Sequence, residues 1–377
     1  MRSLLVTGGA GFIGANFAHY WASEYPDDRI VVLDALTYAG NLASLETLLR
    51  APRFRFVRGS LADEGLLDAL LAEEACDTIV HFAAESHVDR SIVGPDAFIE
   101  TNVVGTHALL KAARRAWLDG SSRPARPVRF HHVSTDEVYG SLGADEAAFT
   151  ERTPYAPNSP YAASKAASDH LVRAYHHTYG LPVTTSNCSN NYGPYHFPEK
   201  LLPLVIVNAL DGKRIPVYGD GRNVRDWLYV ADHCRAIDLV LRSGRVGETY
   251  NVGGNNEWAN IDLVRLVCTM MDEAFAAEPA LAARFALAPA ATGRPTATLI
   301  EFVRDRPGHD RRYAIDATKA AAELGFRPRE TLESGLRKTL AWYLDNEQWW
   351  RGVMDGSYCD WVDRQYAVLA DAASRDR

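Results

Sequence analysis

Tyr161 and Lys165 lie four residues apart, and in this 377-residue sequence they are a pair whose types and spacing suggest chemistry. On an α-helix such residues share a face, so a lysine ammonium can reach a phenol one turn away. Ser159 supplies a helix N-cap and Pro160 a first helical residue, which predicts a helix over Pro160–Tyr179 with Tyr161 in its first turn. A neighbouring cation lowers the pKa of a phenol, so Tyr161 can take a proton from a hydroxyl while hydride leaves the attached carbon. The spacing alone is common, but the chain has only six lysines, which makes a chance pairing less ordinary. A second constellation is STDEVYG at Ser134–Gly140, where two adjacent carboxylates, Asp136 and Glu137, follow an apolar run. Carboxylates in differing environments separate into a protonated acid and an ionised base. The same two residues also suit a solvated acidic turn.

These groups need a scaffold, and the first half of the chain alternates short apolar runs with helical patterns. Strands are predicted at Leu4–Thr7, Ile30–Asp34, Phe54–Arg58, Thr78–Phe82, Arg129–Ser134 and Val183–Cys188. Helical spacing covers Ile13–Glu24, Leu61–Glu74, Phe98–Ala116 and Pro160–Tyr179. That succession predicts an α/β fold, a Rossmann-type doubly wound parallel sheet, in which ligands bind beyond the carboxyl ends of the strands. After Asn190 the alternation weakens, and a smaller interleaved domain is expected. The boundaries read as 1–189 for the nucleotide-cofactor domain, with later returns near 223–251 and 313–325, and 190–365 mainly for a substrate domain. Ala276–Thr298, rich in Ala and Pro, is expected to be a surface loop or a short exposed helix.

TGGAGFIG at Thr7–Gly14 sets Gly8, Gly11 and Gly14 between an apolar strand and a helical pattern. Glycine lets the backbone turn tightly and approach a pyrophosphate seated at the helix N-terminus. Asp34 closes the next strand about 20 residues on, where a carboxylate either meets adenosine ribose hydroxyls or serves a turn. With Ala35 beside it and no adjacent arginine, a 2′-phosphate would meet an unpaired negative charge, so NAD is expected rather than NADP. The formal net charge of -8 argues against nucleic acid as a partner. Five scattered cysteines without Cys-x-x-Cys spacing predict neither a zinc site nor a redox pair, and fit buried thiols in a reducing cytoplasm. No signal peptide and no membrane span is expected.

Together with DALTYAGN (Asp34–Asn41), HFAAESHVDRSI (His81–Ile92), NCSNNYGPYHFPEKLLP (Asn187–Pro203), RDWLYV (Arg225–Val230), YNVGG (Tyr250–Gly254) and DRPGHDRRYAID (Asp305–Asp316), these motifs resemble the extended short-chain dehydrogenase family and, within it, the dTDP-glucose 4,6-dehydratases. The similarity runs nearly end to end and includes the tail blocks WYLDNEQWW and GSYCDW. It implies dehydration of a nucleotide sugar, dTDP-glucose, by oxidation at C4, loss of water across C5 and C6, and return of hydride to C6 with tightly held NAD. It implies that Thr135 and Tyr161 address the sugar 4-hydroxyl, that Lys165 tunes Tyr161 and holds the nicotinamide ribose, that Glu137 removes the C5 proton, and that Asp136 donates a proton to the departing C6 hydroxyl.

By the same resemblance, Phe12, Ile13, Asp34, Ala35, Leu36, Thr37, Ser60, Leu61, Phe82, Ala83, Ala84, Ser86, Thr101 and Asn191 line the cofactor with the three glycines. Ser86, Asn190, Lys200, Leu201, Tyr218, Arg225, Asn260, Arg306, His309 and Tyr358 hold the substrate alongside the catalytic residues. Arginine suits a diphosphate through its planar two-donor fork, although Arg225 and Arg306 each also suit a surface ion pair. Two departures stand out. Ser60 occupies a place where the family has an aspartate against the adenine amino group, and Ala276–Thr298 departs from the family pattern. No metal is expected, and a homodimer is implied, with Phe98–Ala116 and Pro160–Tyr179 supplying small and apolar faces. Other readings are a UDP-glucose 4,6-dehydratase or a 4-epimerase on the same scaffold, against which the Asp136–Glu137 pair counts in the epimerase case, and a non-catalytic NAD-sensing protein that retains the fold.

Overall fold

The computed structural model describes residues 1–119 and 126–354. In chain order its strands are β1 (Ser3–Thr7), β2 (Arg29–Asp34), β3 (Phe54–Arg58), β4 (Thr78–His81), β5 (Arg129–Thr135), β6 (Val183–Cys188), β7 (Asn190–Tyr192), β8 (Ile215–Tyr218), β9 (Val224–Tyr229), β10 (Thr249–Val252), β11 (Glu257–Ala259) and β12 (Ile300–Val303). Seven form one sheet in the order β10-β6-β5-β4-β1-β2-β3, and every pairing in it is parallel. A Rossmann-like α/β fold follows. The six strands expected in the first half of the chain recur with ends shifted by at most one residue.

Alternation along the strands explains why helices cover both faces of this sheet. Leu4 and Val6 of β1, with Ile30 and Val32 of β2, pack beneath Phe17 and Trp21 of helix Phe12–Glu24 and Ile237 and Leu241 of helix Val230–Ser243. The intervening residues Leu5, Val31 and Leu33 face the opposite side, against Leu67 and Leu70 of helix Glu64–Glu73, Leu109 and Leu110 of helix Thr106–Arg114, and Val172 of helix Pro160–Tyr179. Side chains of period two thus bury on both faces, which is why these strands read as continuous apolar runs.

Helix Pro160–Tyr179 matches its sequence expectation at both ends, because Ser159 Oγ accepts the Ala162 amide at 3.1 Å and Gly180 closes it with a φ of 74°. Helix Glu64–Glu73 starts later than expected: Asp63 caps it through the Leu66 amide at 2.9 Å, which leaves Leu61 in the preceding turn. The Phe98–Ala116 expectation becomes a helical run with π-helical stretches at Ile99–Gly105 and Arg115–Asp119. The first of these carries Asn102, whose amide exchanges bonds with the Glu85 backbone at 2.8 and 3.0 Å and donates to Ser164 Oγ at 2.8 Å.

A second region packs helices Leu201–Leu210, Asn260–Ala277 and Leu332–Asp345 around Tyr192, Ile261, Met271, Leu336, Tyr343 and Trp350. It holds the three-stranded sheet β11-β9-β7 and the pair β12-β8. Ala276–Thr298 is the largely exposed segment expected from its composition, pinned by a few inward side chains. Its helix Ala280–Arg284 and the turns after it send Leu281, Phe285 and Ala288 into this core, and the Thr296 amide donates to Asp272 at 3.0 Å. Of the five cysteines, Cys76, Cys188, Cys234 and Cys268 are buried free thiols, and Cys359 lies outside the described residues. Among the described residues no helix is long and apolar enough to cross a membrane.

One packing point is exacting. A Cβ on Gly14 would stand 2.3 Å from the Gly8 carbonyl oxygen and 2.8 Å from Gly9 Cα, both backbone atoms that cannot swing aside. Gly14→Ala is therefore expected to cost about 1–3 kcal/mol, seen in calorimetry as a lower melting temperature without loss of the far-ultraviolet circular dichroism signature.

Candidate functional site

The carboxyl ends of β1, β4, β5 and β6 open onto one cavity of about 490 Å3. Gly8 turns with a φ of 69°, and a Cβ there would lie 2.5 Å from the Ala83 amide nitrogen, so β1 can meet the segment after β4 only without a side chain. Gly11 differs. A Cβ there would meet only the Gly8 carbonyl, at 3.3 Å, so the protein's own packing does not demand a glycine, yet its open face lines the cavity. This cradle fits a dinucleotide whose pyrophosphate approaches bare backbone. Gly14, Phe12, Ile13, Ala35, Thr37, Ser60, Leu61, Phe82, Ala83, Ala84, Ser86, Thr101 and Asn191 share the lining.

Asp34 serves the turn and also lines the cavity. It is buried at the cavity wall, and its two oxygens accept the Ala10 and Leu36 amides at 2.9 and 2.8 Å. Each carboxylate oxygen has a second lone pair for a ribose hydroxyl. Leu36 does not line the cavity, contrary to expectation: at a φ of 52° its side chain packs into the apolar cluster of Phe17 and Val32.

The reactive groups gather at the end of β5. Thr135 Oγ1 accepts the Glu137 amide at 3.3 Å, starting a single turn over Asp136–Tyr139 that points both carboxylates inward. Asp136 is only 1% exposed, which excludes a solvated acidic turn. Burial, then the Glu137 charge, raises its pKa well above the usual carboxylate range. Glu137 is also raised by burial, but the charges of Arg306, Arg225 and Lys200 oppose the rise. The pair is thereby divided into a group that keeps its proton and one that more readily gives it up.

Tyr161 sits one turn before Lys165 on helix Pro160–Tyr179, near enough to the Thr135 hydroxyl to be influenced by it and edge-on to Phe98 with centroids 6.2 Å apart. The Lys165 ammonium donates to the Val133 carbonyl at 2.8 Å, and burial followed by the Glu137 charge pushes the Tyr161 pKa well above its ordinary value.

Beyond the carboxylates, Lys200 lines the cavity and donates to the Ser86 carbonyl at 2.7 Å, while Asn190, on the same wall, keeps an Oδ1 with no hydrogen-bond partner in the protein. Leu201 completes this wall. Tyr218, Arg225, Asn260, Arg306 and His309 stand outside the cavity lining, with Arg225 and Arg306 close enough for their charges to act on Glu137. Arg306 Nη1 lies 3.0 Å from Asp89 Oδ1, Tyr218 donates to Asp89 Oδ2 at 3.2 Å, and His309 Nδ1 lies 2.5 Å from Asp305. Arg225 donates to the Asp310 carbonyl at 2.9 Å and lies over the Tyr313 ring, 4.2 Å from its centre. Arg306 Nε and Asn260 Oδ1 are buried without hydrogen-bond partners. Tyr358 lies outside the described residues.

Several groups at the site went unassigned from the sequence. Asp89 ties Arg306 to Tyr218, and Glu199, on the cavity wall, accepts from Arg90 Nε at 3.1 Å. Both lie inside quoted motif blocks, HFAAESHVDRSI and NCSNNYGPYHFPEKLLP, but only the fold shows which members of those blocks face the cavity.

A family model described as GDP-mannose 4,6 dehydratase matches residues 5–339. A dTDP-glucose 4,6-dehydratase of Xanthomonas campestris pv. campestris (strain B100) is 59% identical over 360 residues, covering 95% of this chain and 97% of its own. Among solved structures, a dTDP-glucose 4,6-dehydratase from Bacillus anthracis str. Ames in complex with NAD is 45% identical with a TM-score of 0.80, covering 94% of this chain and 100% of its own. The dTDP-glucose 4,6-dehydratase DesIV from Streptomyces venezuelae, with NAD and a second ligand bound, is 48% identical with a TM-score of 0.80, covering 93% and 100% respectively.

The coupling of the two carboxylates can be measured directly. Because the Glu137 charge is the second cause of the raised Asp136 pKa, Glu137→Gln is expected to move the Asp136 titration to lower pH. Carbon-13 NMR of the labelled aspartate carboxyls checks this, and an unmoved titration contradicts the coupling.

Proposed function

The chain belongs to the family described as GDP-mannose 4,6 dehydratase, and on that premise we propose that its buried acid and base remove water from dTDP-glucose. The enzyme is an NAD-dependent hydro-lyase whose product is dTDP-4-keto-6-deoxyglucose. One observation carries the assignment of roles: two adjacent carboxylates on one turn feel unequal charge, Asp136 chiefly that of Glu137 and Glu137 chiefly those of Arg306, Arg225 and Lys200.

Bound NAD supplies the acceptor for the C4 hydride and the donor for C6. Tyr161, beside Thr135, takes the proton of the 4-hydroxyl, and Lys165 contributes a buried positive charge one helical turn away. A ketone at C4 makes the C5 proton acidic, so oxidation must precede elimination. Glu137, eased toward its ionised form by Arg306, Arg225 and Lys200, removes that proton. Asp136, which burial keeps protonated, donates to the departing C6 hydroxyl. A 4-epimerase has no water to eliminate and no use for this acid and base.

Gly8, Gly11, Gly14 and Asp34 hold the dinucleotide in this reading, while Lys200, Arg225 and Arg306 meet the diphosphate, with residues 1–189 and their later returns serving the cofactor and 190–365 mainly the nucleotide sugar. A cytoplasmic homodimer is part of the same proposal. Ile99, Val104 and Tyr179, exposed on the helices over Phe98–Ala116 and Pro160–Tyr179, supply an apolar face for a second copy.

Deuterium placed at C4 of dTDP-glucose is expected at C6 of the same sugar molecule, with a solvent proton at C5 and no free NADH accumulating. Mass spectrometry of a crossover mixture of labelled and unlabelled substrate reads the outcome, and label on other molecules overturns the mechanism. Asp136→Asn and Glu137→Gln are each expected to slow elimination by roughly 10²–10⁴-fold while slowing C4 oxidation less, which rapid-quench kinetics separates.

A further inference from the structure

Lys165 is fully enclosed, and burial of an ammonium disfavours its charged form. Its one recorded hydrogen bond, to the neutral Val133 carbonyl, leaves the charge uncompensated. An opposite charge that acts on it lies on its own helix, beyond direct ion-pair contact. Asp169 is one turn beyond Lys165 and two beyond Tyr161, so all three share a face. Its Oδ2 accepts from Ser134 Oγ at 2.9 Å and from the Tyr155 hydroxyl at 2.9 Å, and its Oδ1 lies 3.0 Å from His132 Nε2. Tyr155 in turn accepts from Asn187 Nδ2 at 3.1 Å. One buried carboxylate therefore joins the catalytic helix to β5, just before Thr135, and through Tyr155 to β6.

We propose that Asp169 is a positioning residue: it anchors the end of β5 against the catalytic helix and acts as the buried counter-charge that keeps Lys165 an ammonium. This rests on the proposed oxidation at C4, in which Lys165 must be charged. The groups facing the pair are Tyr161 and His170 on the same helix, His81 from β4, His132 from β5, Cys188 from β6, Tyr155 from the preceding loop and Tyr139 from the turn after Thr135. His81 and His132 are held neutral by burial, and the Cys188 thiol is pushed up by burial, so none of these three supplies a competing charge near neutrality. Asp169 is raised to about 6 by burial, with Lys165 opposing the rise, so above that pH it is ionised. Its charge raises the Lys165 pKa against the lowering by burial.

The sign of the effect follows. Without the carboxylate, Lys165 loses its proton at lower pH, and the alkaline limb of C4 oxidation moves down. In NAD-loaded enzyme with dTDP-glucose, Asp169→Asn is expected to shift that limb by about one pH unit or more, the scale of a nearby opposite charge, with kcat affected more than KM. The double variant Ser134→Ala/Tyr155→Phe removes two anchors but keeps the charge, so its melting temperature is expected to fall while the limb stays in place. An Asp169→Asn limb at the wild-type position overturns the proposal, as does a displaced limb in the double variant. Where Asp169→Asn does not fold, nitrogen-15 NMR of the Lys165 side chain in the wild-type enzyme decides: a resonance that does not respond as Asp169 titrates near pH 6 overturns the proposal. Failure of the wild-type enzyme to form a 4-keto product would instead overturn the functional reading.

Discussion

Charge withdrawn from water at the carboxyl end of one parallel sheet is the constraint that organises this molecule. Asp136, Glu137 and Lys165 sit within a few residues of the ends of β5 and helix Pro160–Tyr179, all of them enclosed. Burial of such groups is costly unless partners are provided. The partners come from far along the chain: Arg225 on β9, the central strand of the three-stranded sheet, Arg306 after β12, Lys200 before helix Leu201–Leu210. The second region thus brings to the site cations that the doubly wound sheet does not itself hold.

This arrangement sets the two carboxylates apart without any difference in their chemistry. Asp136 feels Glu137 as a like charge, whereas Glu137 faces the incoming cations. The turn that presents them depends on one hydroxyl, Thr135, which accepts the Glu137 amide and lies beside Tyr161. Acid, base and phenol are therefore positioned by a common residue, and a displacement of one is felt by the others.

Local patterns in the sequence carried much of this. The strands before residue 190 were legible because both-face burial forces continuous aliphatic runs, and helix Pro160–Tyr179 because Ser159, Pro160 and Gly180 mark its ends. What could not be read depends on contacts across the chain. Spacing placed Lys165 beside Tyr161, but the Val133 carbonyl that takes its proton donor belongs to another strand. Composition marked Ala276–Thr298 as surface, which most of it is, but not which of its residues turn inward, because the Phe275 ring that Phe285 meets lies on the preceding helix. Leu36 belonged to a motif that faces the cavity, yet a positive φ turns it away.

The strand order has a consequence for how the chain is made. β10 closes one edge of the large sheet, and helix Val230–Ser243 covers part of the face over β1 and β2, yet both emerge from synthesis well after β6. Until they arrive, β6 presents an unpaired edge, and Leu4, Val6 and Val32 lack part of their cover. An exposed strand edge beside an apolar face invites pairing with another chain. A ribosome-bound intermediate ending between these elements is thus the species most in need of a chaperone, and a fragment cut after β6 would not make a self-sufficient dinucleotide-binding unit.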